Sequence, residues 1–400
     1  MSMHLPVLLT LIMVILLPDL WLSHHVRQSH YHWSFRLLLW IPSALFLITF
    51  ILLRTHGHTT DSPNLTYKAI WLISIFILIY LPKFIFIFFH VLNTIVNQFT
   101  KNKYRIFNYI GILLSLTTFI LFFIGMTYTR THIKVREIHI THPNLPASFD
   151  GLRIAHITDQ HLGNFGSDTT FISKAVHIIN QQHPDIICST GDMVNNFSCE
   201  LTPYISIWQR LHASLGKYAV LGNHDYGDYT RWKSLEARHA NLAATKQGLI
   251  ESGFTLLLNQ NTVLVQGNDT LYIAGVENWG KPPFPQYGNL DKATHNIPQN
   301  AFTILLSHDV SHWRKEVLQH KNIQLTLSGH THASQIGINN KHARISPSAW
   351  IYPEWGGLYR ESSQYLHVNP GLGYTGMAIR IGIPPEITII TLHRGELTIP

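Results

Sequence analysis

Apolar positions follow two regimes along this chain. Up to residue 128 they come in long blocks, roughly residues 5–22, 35–53, 69–91 and 106–128, parted by short polar loops. Each block approaches the ~20 residues that cross a bilayer and carries few charges, so the pattern predicts four membrane-spanning helices. Four blocks in succession argue against buried helices of a soluble domain. The first lacks the basic leader and Ala-x-Ala-like site of a cleaved signal peptide. Pro18, Asp19 and the pair Pro82-Lys83 interrupt the blocks; Asp19 is expected at headgroup level, and Lys83 is expected to snorkel towards it.

Past residue 130 the runs shorten. Residues 129–150 read as a linker containing an edge strand near 133–140. Strands are then predicted at 153–157, 185–189, 218–221, 302–306 and 324–328, alternating with helices at 170–181, 203–211, 231–252 and 310–320. Three consecutive short runs, 254–258, 262–265 and 271–274, suggest antiparallel pairing. Short strands near 343–345, 365–368 and 386–392 complete the pattern. Such alternation predicts an α/β domain with a mixed sheet over residues 151–400, after a four-helix transmembrane region at 1–128.

Charge sharpens this division. Residues 1–128 hold eight Lys and Arg against two Asp and Glu, so they supply +6 of the net +7. The basic character thus belongs to the apolar region and excludes nucleic acid as the expected partner. Membrane lipids are the expected surroundings. Orientation does not follow from charge: Arg54, Lys68, Arg130, Lys134 and Arg136 lie on one side, and Arg27, Arg36, Lys101, Lys103 and Arg105 on the other. The two cysteines are too few for a disulfide framework, and Cys188 reads as a core residue.

The chemistry-bearing residues sit at the ends of five predicted strands. They are Asp159-Gln160-His161, Gly191-Asp192, Gly222-Asn223-His224-Asp225, His308 and Gly329-His330-Thr331-His332. Asp, Asn and His form a mixed nitrogen and oxygen donor set for divalent metal, and the absence of thiolate disfavours a structural zinc site. Each block alone is weak; their order is the signal.

In that order the sequence resembles the calcineurin-like metallophosphoesterase superfamily. The resemblance implies a β-sandwich flanked by helices, with two divalent ions (manganese, iron or zinc) at the strand ends. By motif, Asp159, His161 and His332 match the ligands of one ion, Asn223, His308 and His330 those of the second, and Asp192 the bridge. His224 matches the catalytic histidine and Asp225 the residue that orients it. Two such ions can activate a shared water and clamp the oxygens of an in-line displacement at phosphorus.

The passage 145–154 and the tail segments 369–373 and 384–388 resemble the membrane-associated branch, including transmembrane metallophosphoesterase-domain proteins and enzymes similar to UDP-2,3-diacylglucosamine pyrophosphatase. That implies a membrane-anchored hydrolase of a phosphoester or pyrophosphate bond, acting on a phosphorylated small molecule or lipid, in lipid A biosynthesis if the likeness to that pyrophosphatase extends so far. It also implies a catalytic domain facing the cytoplasm. Two alternatives stay open: a hydrolase of soluble nucleotides whose spans only anchor it, and a membrane sensor or transporter whose phosphoesterase-like domain only binds. Trp279, Phe284, Trp350, Tyr352, Trp355 and Tyr359 either pack long loops or receive a nucleobase or acyl chain. Arg314 and Arg360 are surface residues or phosphate contacts. The oligomeric state is not readable.

Overall fold

The computed structural model describes residues 5–28, 33–55, 62–100, 102–282, 284–340 and 342–397. Of the basic residues weighed for orientation, Lys101 and the side chains of Arg27, Arg36 and Arg54 lie outside the described residues. The chain forms two compact units, Met1–Thr59 with Lys68–Thr127, and Thr60–Tyr67 with Tyr128–Pro400.

The four apolar blocks are the helices α1 (Leu5–Gln28), α2 (Trp33–Thr55), α3 (Pro63–Phe99) and α4 (Ile106–Thr127). Among the described residues, two helices are long and apolar enough to cross a membrane alone: Pro63–Phe99 and the apolar stretch Ile106–Thr131. The apolar parts of α1 and α2, Ile12–His25 and Leu37–Thr49, are shorter. Large apolar side chains such as Phe88 and Leu113 point outward, each 64% exposed, which suits lipid rather than water.

Pro18, Pro42 and Pro82 lie inside their helices without ending them. Asp19 and Lys83 depart from expectation. Asp19 is fully buried and takes the Lys83 ammonium at 2.6 Å. Ser43 and Tyr80 also donate to its carboxylate. A charge among apolar helices costs less when paired than when reaching for water across several turns, so the two residues meet inside the bundle.

The second unit is a sandwich of two six-stranded mixed sheets. Its strands are β1 (Lys134–His142), β2 (Arg153–Ile157), β3 (Ile186–Ser189), β4 (Lys217–Ala219), β5 (Thr255–Leu256), β6 (Gln260–Gln266), β7 (Asp269–Gly275), β8 (Phe302–Leu306), β9 (Leu325–Ser328), β10 (Ile338–Asn339), β11 (Arg344–Ile345), β12 (Gly357–Glu361), β13 (Gln364–Val368) and β14 (Glu386–Arg394). One sheet has the order β1-β14-β2-β3-β4-β5, the other β12-β13-β9-β8-β7-β6; β10 and β11 form a separate hairpin. The core between them joins Ile154, Ile186, Cys188 and Ile390 of the first to Ile273, Phe302, Ile304 and Leu327 of the second. Trp313 and Val317 cover the other face of the second sheet with Leu305 and Leu366.

Neighbours β2, β3 and β4 run parallel, as do β7, β8 and β9, so their carboxyl ends carry the site loops together. β1 is an edge strand, as its mixed polarity predicts, held parallel to the C-terminal strand β14. The three consecutive short strands do not form one antiparallel set. β5 pairs parallel with β4 in the first sheet, and only β6 and β7 make the hairpin. The helices expected at 203–211 and 310–320 contract to Ile205–Trp208 and Ser311–Lys315, each adjoining a 3₁₀ turn.

Candidate metal centre

Three of the five site loops leave their strands through sharp backbone turns. Asp159, His161, Asp192, His330 and His332 have φ of 51°, 47°, 55°, 70° and 48°, the left-handed region. Asp and His tolerate it better than most residues, yet it costs an L-residue about 1–2 kcal/mol. Five such residues at one place mark a site where backbone strain is retained. The adjoining glycines are there for space: a Cβ at Gly222 would lie 2.2 Å from Asp192 Oδ1, and one at Gly329 2.2 Å from Asp159 Oδ2.

The structure brings the seven predicted ligands together. His332 Nε2 lies 3.2 Å from Asp159 Oδ1 and 3.1 Å from His161 Nε2, and His161 Nε2 is 3.7 Å from Asp192 Oδ2. On the other flank of Asp192, His308 Nε2 approaches Oδ2 at 3.2 Å. Three groups have donor atoms within 4.8 Å of one another: Asp159, His161 and His332; His161, Asp192 and His224; Asp192, His308 and His330. Asp192 joins the second and third groups. Asn223, buried, stands next to His224 and keeps its Oδ1 without a hydrogen-bond partner, while its Nδ2 donates to Tyr229 at 2.8 Å.

Hydrogen bonds decide which ring atoms are bare. His308 Nδ1 lies 2.7 Å from the Thr190 carbonyl, which can only accept, so Nδ1 carries the hydrogen. A neutral His308 then turns a naked Nε2 lone pair towards a buried carboxylate, and Nε2 makes no well-aligned hydrogen bond of its own. Burial opposes a positive charge there, but the Asp192 carboxylate outweighs it and raises His308 to about 10. A divalent cation on Nε2 and the carboxylate would take the place of that proton. His161 is oriented in the same way: Nδ1 donates to Asn195 Oδ1 at 3.0 Å, and burial first, then the neighbouring His224, lowers its pKa to about 3, leaving Nε2 bare. Burial acts to raise both Asp159 and Asp192, but the surrounding histidines hold both carboxyls well below the usual range. Converging lone pairs, anionic oxygens and the orphaned atoms Asn223 Oδ1, His308 Nε2 and His332 Nδ1 fit divalent metal.

His224 is half-buried; its Nδ1–H is fixed at 2.8 Å on the Asn195 carbonyl, and its ring lies 4.8 Å from that of His161. Asp225 does not orient it. The Asp225 carboxylate instead accepts the backbone N–H groups of Asp192, Met193, Val194 and Gly222, tying the two Gly-containing loops together. Burial and the Asp192 charge push its pKa up, and these amides oppose the rise.

Sequence reading singled out Tyr352 only as a loop aromatic and missed several other supports: Thr190, Asn195, Asp309 and Tyr229. Tyr352 OH lies 3.0 Å from His330 Nε2, and Asp309 Oδ2 is 3.7 Å from the same atom. Asp309 carried a signal, an acidic residue directly after His308; Tyr352 stood out as an aromatic, but nothing tied it to His330. Trp279 and Trp355 are buried packing residues, Phe284 and Tyr352 line the site cavity, Tyr359 is partly buried and Trp350 is exposed. Arg314 is taken up by Glu354 at 2.6 Å, and neither it nor Arg360 is among the cavity-lining residues.

A layered α/β unit with acid, amide and imidazole groups collected at its strand ends, joined to apolar helices, defines a metal-dependent phosphohydrolase with a membrane region. Residues 152–334 match the family described as Calcineurin-like phosphoesterase, and residues 4–130 the one described as Probable Calcineurin-like phosphoesterase, transmembrane domain. The chain is 30% identical over 272 residues to the uncharacterized metallophosphoesterase YkuE of Bacillus subtilis, covering 66% of this chain and 87% of that protein. It therefore belongs to the calcineurin-like phosphoesterase family, as the order of its motifs implied. It is 28% identical over 295 residues to the transmembrane protein with metallophosphoesterase domain of Danio rerio, covering 71% of this chain and 63% of that one. To the UDP-2,3-diacylglucosamine pyrophosphatase LpxG of Chlamydia trachomatis it is 29% identical over 347 residues, covering 70% and 97%.

Proposed function

We propose that this protein is a four-span membrane hydrolase that uses two divalent cations to cleave a phosphoester or pyrophosphate bond in a lipid-linked substrate such as a UDP-diacylglucosamine. Asp159, His161 and His332 would hold one cation, and Asn223, His308 and His330 the other, His330 through Nδ1 because Tyr352 occupies Nε2; Asp192 would be shared by both. When bound, the cations supply Lewis acidity to a phosphoryl oxygen and ease deprotonation of water. His224, its Nδ1–H fixed, holds a proton on Nε2 for the departing oxygen. The observation that carries this reading is His308 Nε2 set 3.2 Å from the buried Asp192 carboxylate with no well-aligned hydrogen bond of its own. The relative that acts on UDP-2,3-diacylglucosamine supports the substrate class.

Purified full-length protein with manganese is expected to hydrolyse bis(p-nitrophenyl) phosphate, and His224→Ala to lower kcat by about 10²–10⁴-fold while still binding metal. Cells lacking the gene should accumulate the phosphorylated lipid that is its substrate. An inert wild-type protein that binds manganese would overturn the hydrolase reading. The proposed cytoplasmic facing is read by protease protection in intact membranes.

A further inference from the structure

The cavity above the site, about 560 Å³, pairs the metal-centre residues with one cationic side chain. Among its described lining residues Lys281 is the sole lysine or arginine, with Phe284 and Tyr352 supplying aromatic surface. Among the described residues no carboxylate lies within ion-pair reach of the Lys281 ammonium.

Described residues on either side of Lys281 are tied to the rest of the fold. Trp279 stacks on His312 with centroids 5.0 Å apart and donates Nε1–H to Glu316 at 2.9 Å. A turn closes where Phe284 N–H donates to the Lys281 carbonyl at 3.0 Å, and the Lys281 N–H donates to Asp309 Oδ2 at 3.1 Å. Phe284 meets the ring of His330 edge-on at 4.8 Å. Asp309 follows His308, so the strand end that supplies a site histidine also ties down the turn that brings the ammonium to the cavity. The anchor uses the backbone of Lys281 and leaves its side chain unspent.

We propose that Lys281 is an anion subsite for the phosphoryl group adjacent to the one cleaved, so that the site favours a diphosphate over an isolated phosphate monoester. A lysine ammonium is a compact point charge suited to a phosphate oxygen. A monoester places its whole charge at the cations and leaves Lys281 without a counter-charge; a diphosphate has a second anionic group for it. The inference rests on the hydrolase reading above and narrows its substrate.

The test compares kinetics of full-length wild type, Lys281→Ala, Lys281→Arg and Lys281→Glu with manganese on a nucleoside-diphosphate sugar and on p-nitrophenyl phosphate. Lys281→Ala should raise KM for the diphosphate about tenfold, with kcat within about twofold, and for the monoester less than about threefold. Lys281→Glu should exceed that rise, and Lys281→Arg should restore most of the affinity. Calorimetry with imidodiphosphate and inorganic phosphate gives a readout independent of turnover: wild type prefers the former, and Lys281→Ala loses that preference. Equal KM rises on both substrates, a loss confined to kcat, or an unchanged preference for imidodiphosphate would overturn the subsite. Absence of any wild-type turnover, with the preference intact, would overturn the hydrolase reading alone.

Discussion

Asn195 holds two rings of the metal centre at once, its side-chain oxygen taking His161 Nδ1–H and its backbone carbonyl taking His224 Nδ1–H. Asn195→Ala removes the first contact and the Nδ2–H bond to Asn164 Oδ1 at 2.7 Å, so His161 loses its orientation while His224 keeps its own. Metal affinity should fall about 10–100-fold in a manganese titration, and the metal-free chain should lose about 1–3 kcal/mol of stability because Asn164 Oδ1 loses its donor. Behind Asn195 lies Glu200, 5% exposed, whose Oε2 accepts the Asn195 N–H. Burial raises its pKa to about 7, against the three neighbouring amides that lower it. The folded chain therefore retains a proton on Glu200 that the unfolded chain releases near pH 4.5. Stability falls as pH rises from there to about 7, by on the order of 2–3 kcal/mol, and stays low above. Glu200→Gln cannot ionise, so its thermal midpoint should exceed that of wild type at pH 8 and match it near pH 4.5. A difference that did not change with pH would leave Glu200 with only a packing role. None of this was legible in sequence: Asn195 and Glu200 occupy loops with no apolar rhythm, whereas the seven site residues stood out because each closes a strand.

At the scale of elements, the strands flanking the site were readable because β2, β3, β8 and β9 are short apolar runs bounded by turn residues, buried on both faces. β10 and β12 were missed since neither shows alternation, and β12 contains Arg360 and Glu361 among its five residues. Partnering is harder still: β5 has two paired residues, and nothing in them says which sheet edge they join. The apolar helices show the same limit. Apolar blocks announced α1 to α4, but the link between Asp19 and Lys83, 64 positions apart, depends on how α1 and α3 face each other. Asp19→Leu leaves the ammonium without its carboxylate, and Lys83→Met leaves a buried carboxylate with only the Ser43 and Tyr80 hydroxyls. Each should destabilise the helical unit by about 3–5 kcal/mol, and the double variant should recover most of it. Thermal midpoints of detergent-solubilised protein check this. A double variant as weak as the singles would mean that the pair fixes how the helices pack rather than cancelling two buried charges.

At the scale of the whole molecule, the site residues all belong to the second unit, and the Asp19 cluster to the first. The second unit gathers two buried carboxylates, Asp159 and Asp192, with histidines whose bare nitrogens face them. Without cations that arrangement keeps its cost: His308 must carry a proton in a buried place, and the left-handed turns of Asp159, His161, Asp192, His330 and His332 keep their strain. Cation binding should therefore stabilise the second unit by the usual mass-action term, about 2.7 kcal/mol at a hundredfold excess over Kd. A chelator should lower its melting midpoint and manganese restore it. Hydrogen exchange gives the sharper form of the prediction. Manganese should raise protection at Thr158–His161, Thr190–Val194 and Gly329–His332, where the backbone amides of Asp159, His161, Asp192 and His330 already bond across loops. Protection in α1 to α4 should stay the same, because among the described residues no candidate ligand comes from them. If protection in the helices rose together with the site loops, the metal would be stabilising the chain as one cooperative body, and the division into two units would not describe its energetics.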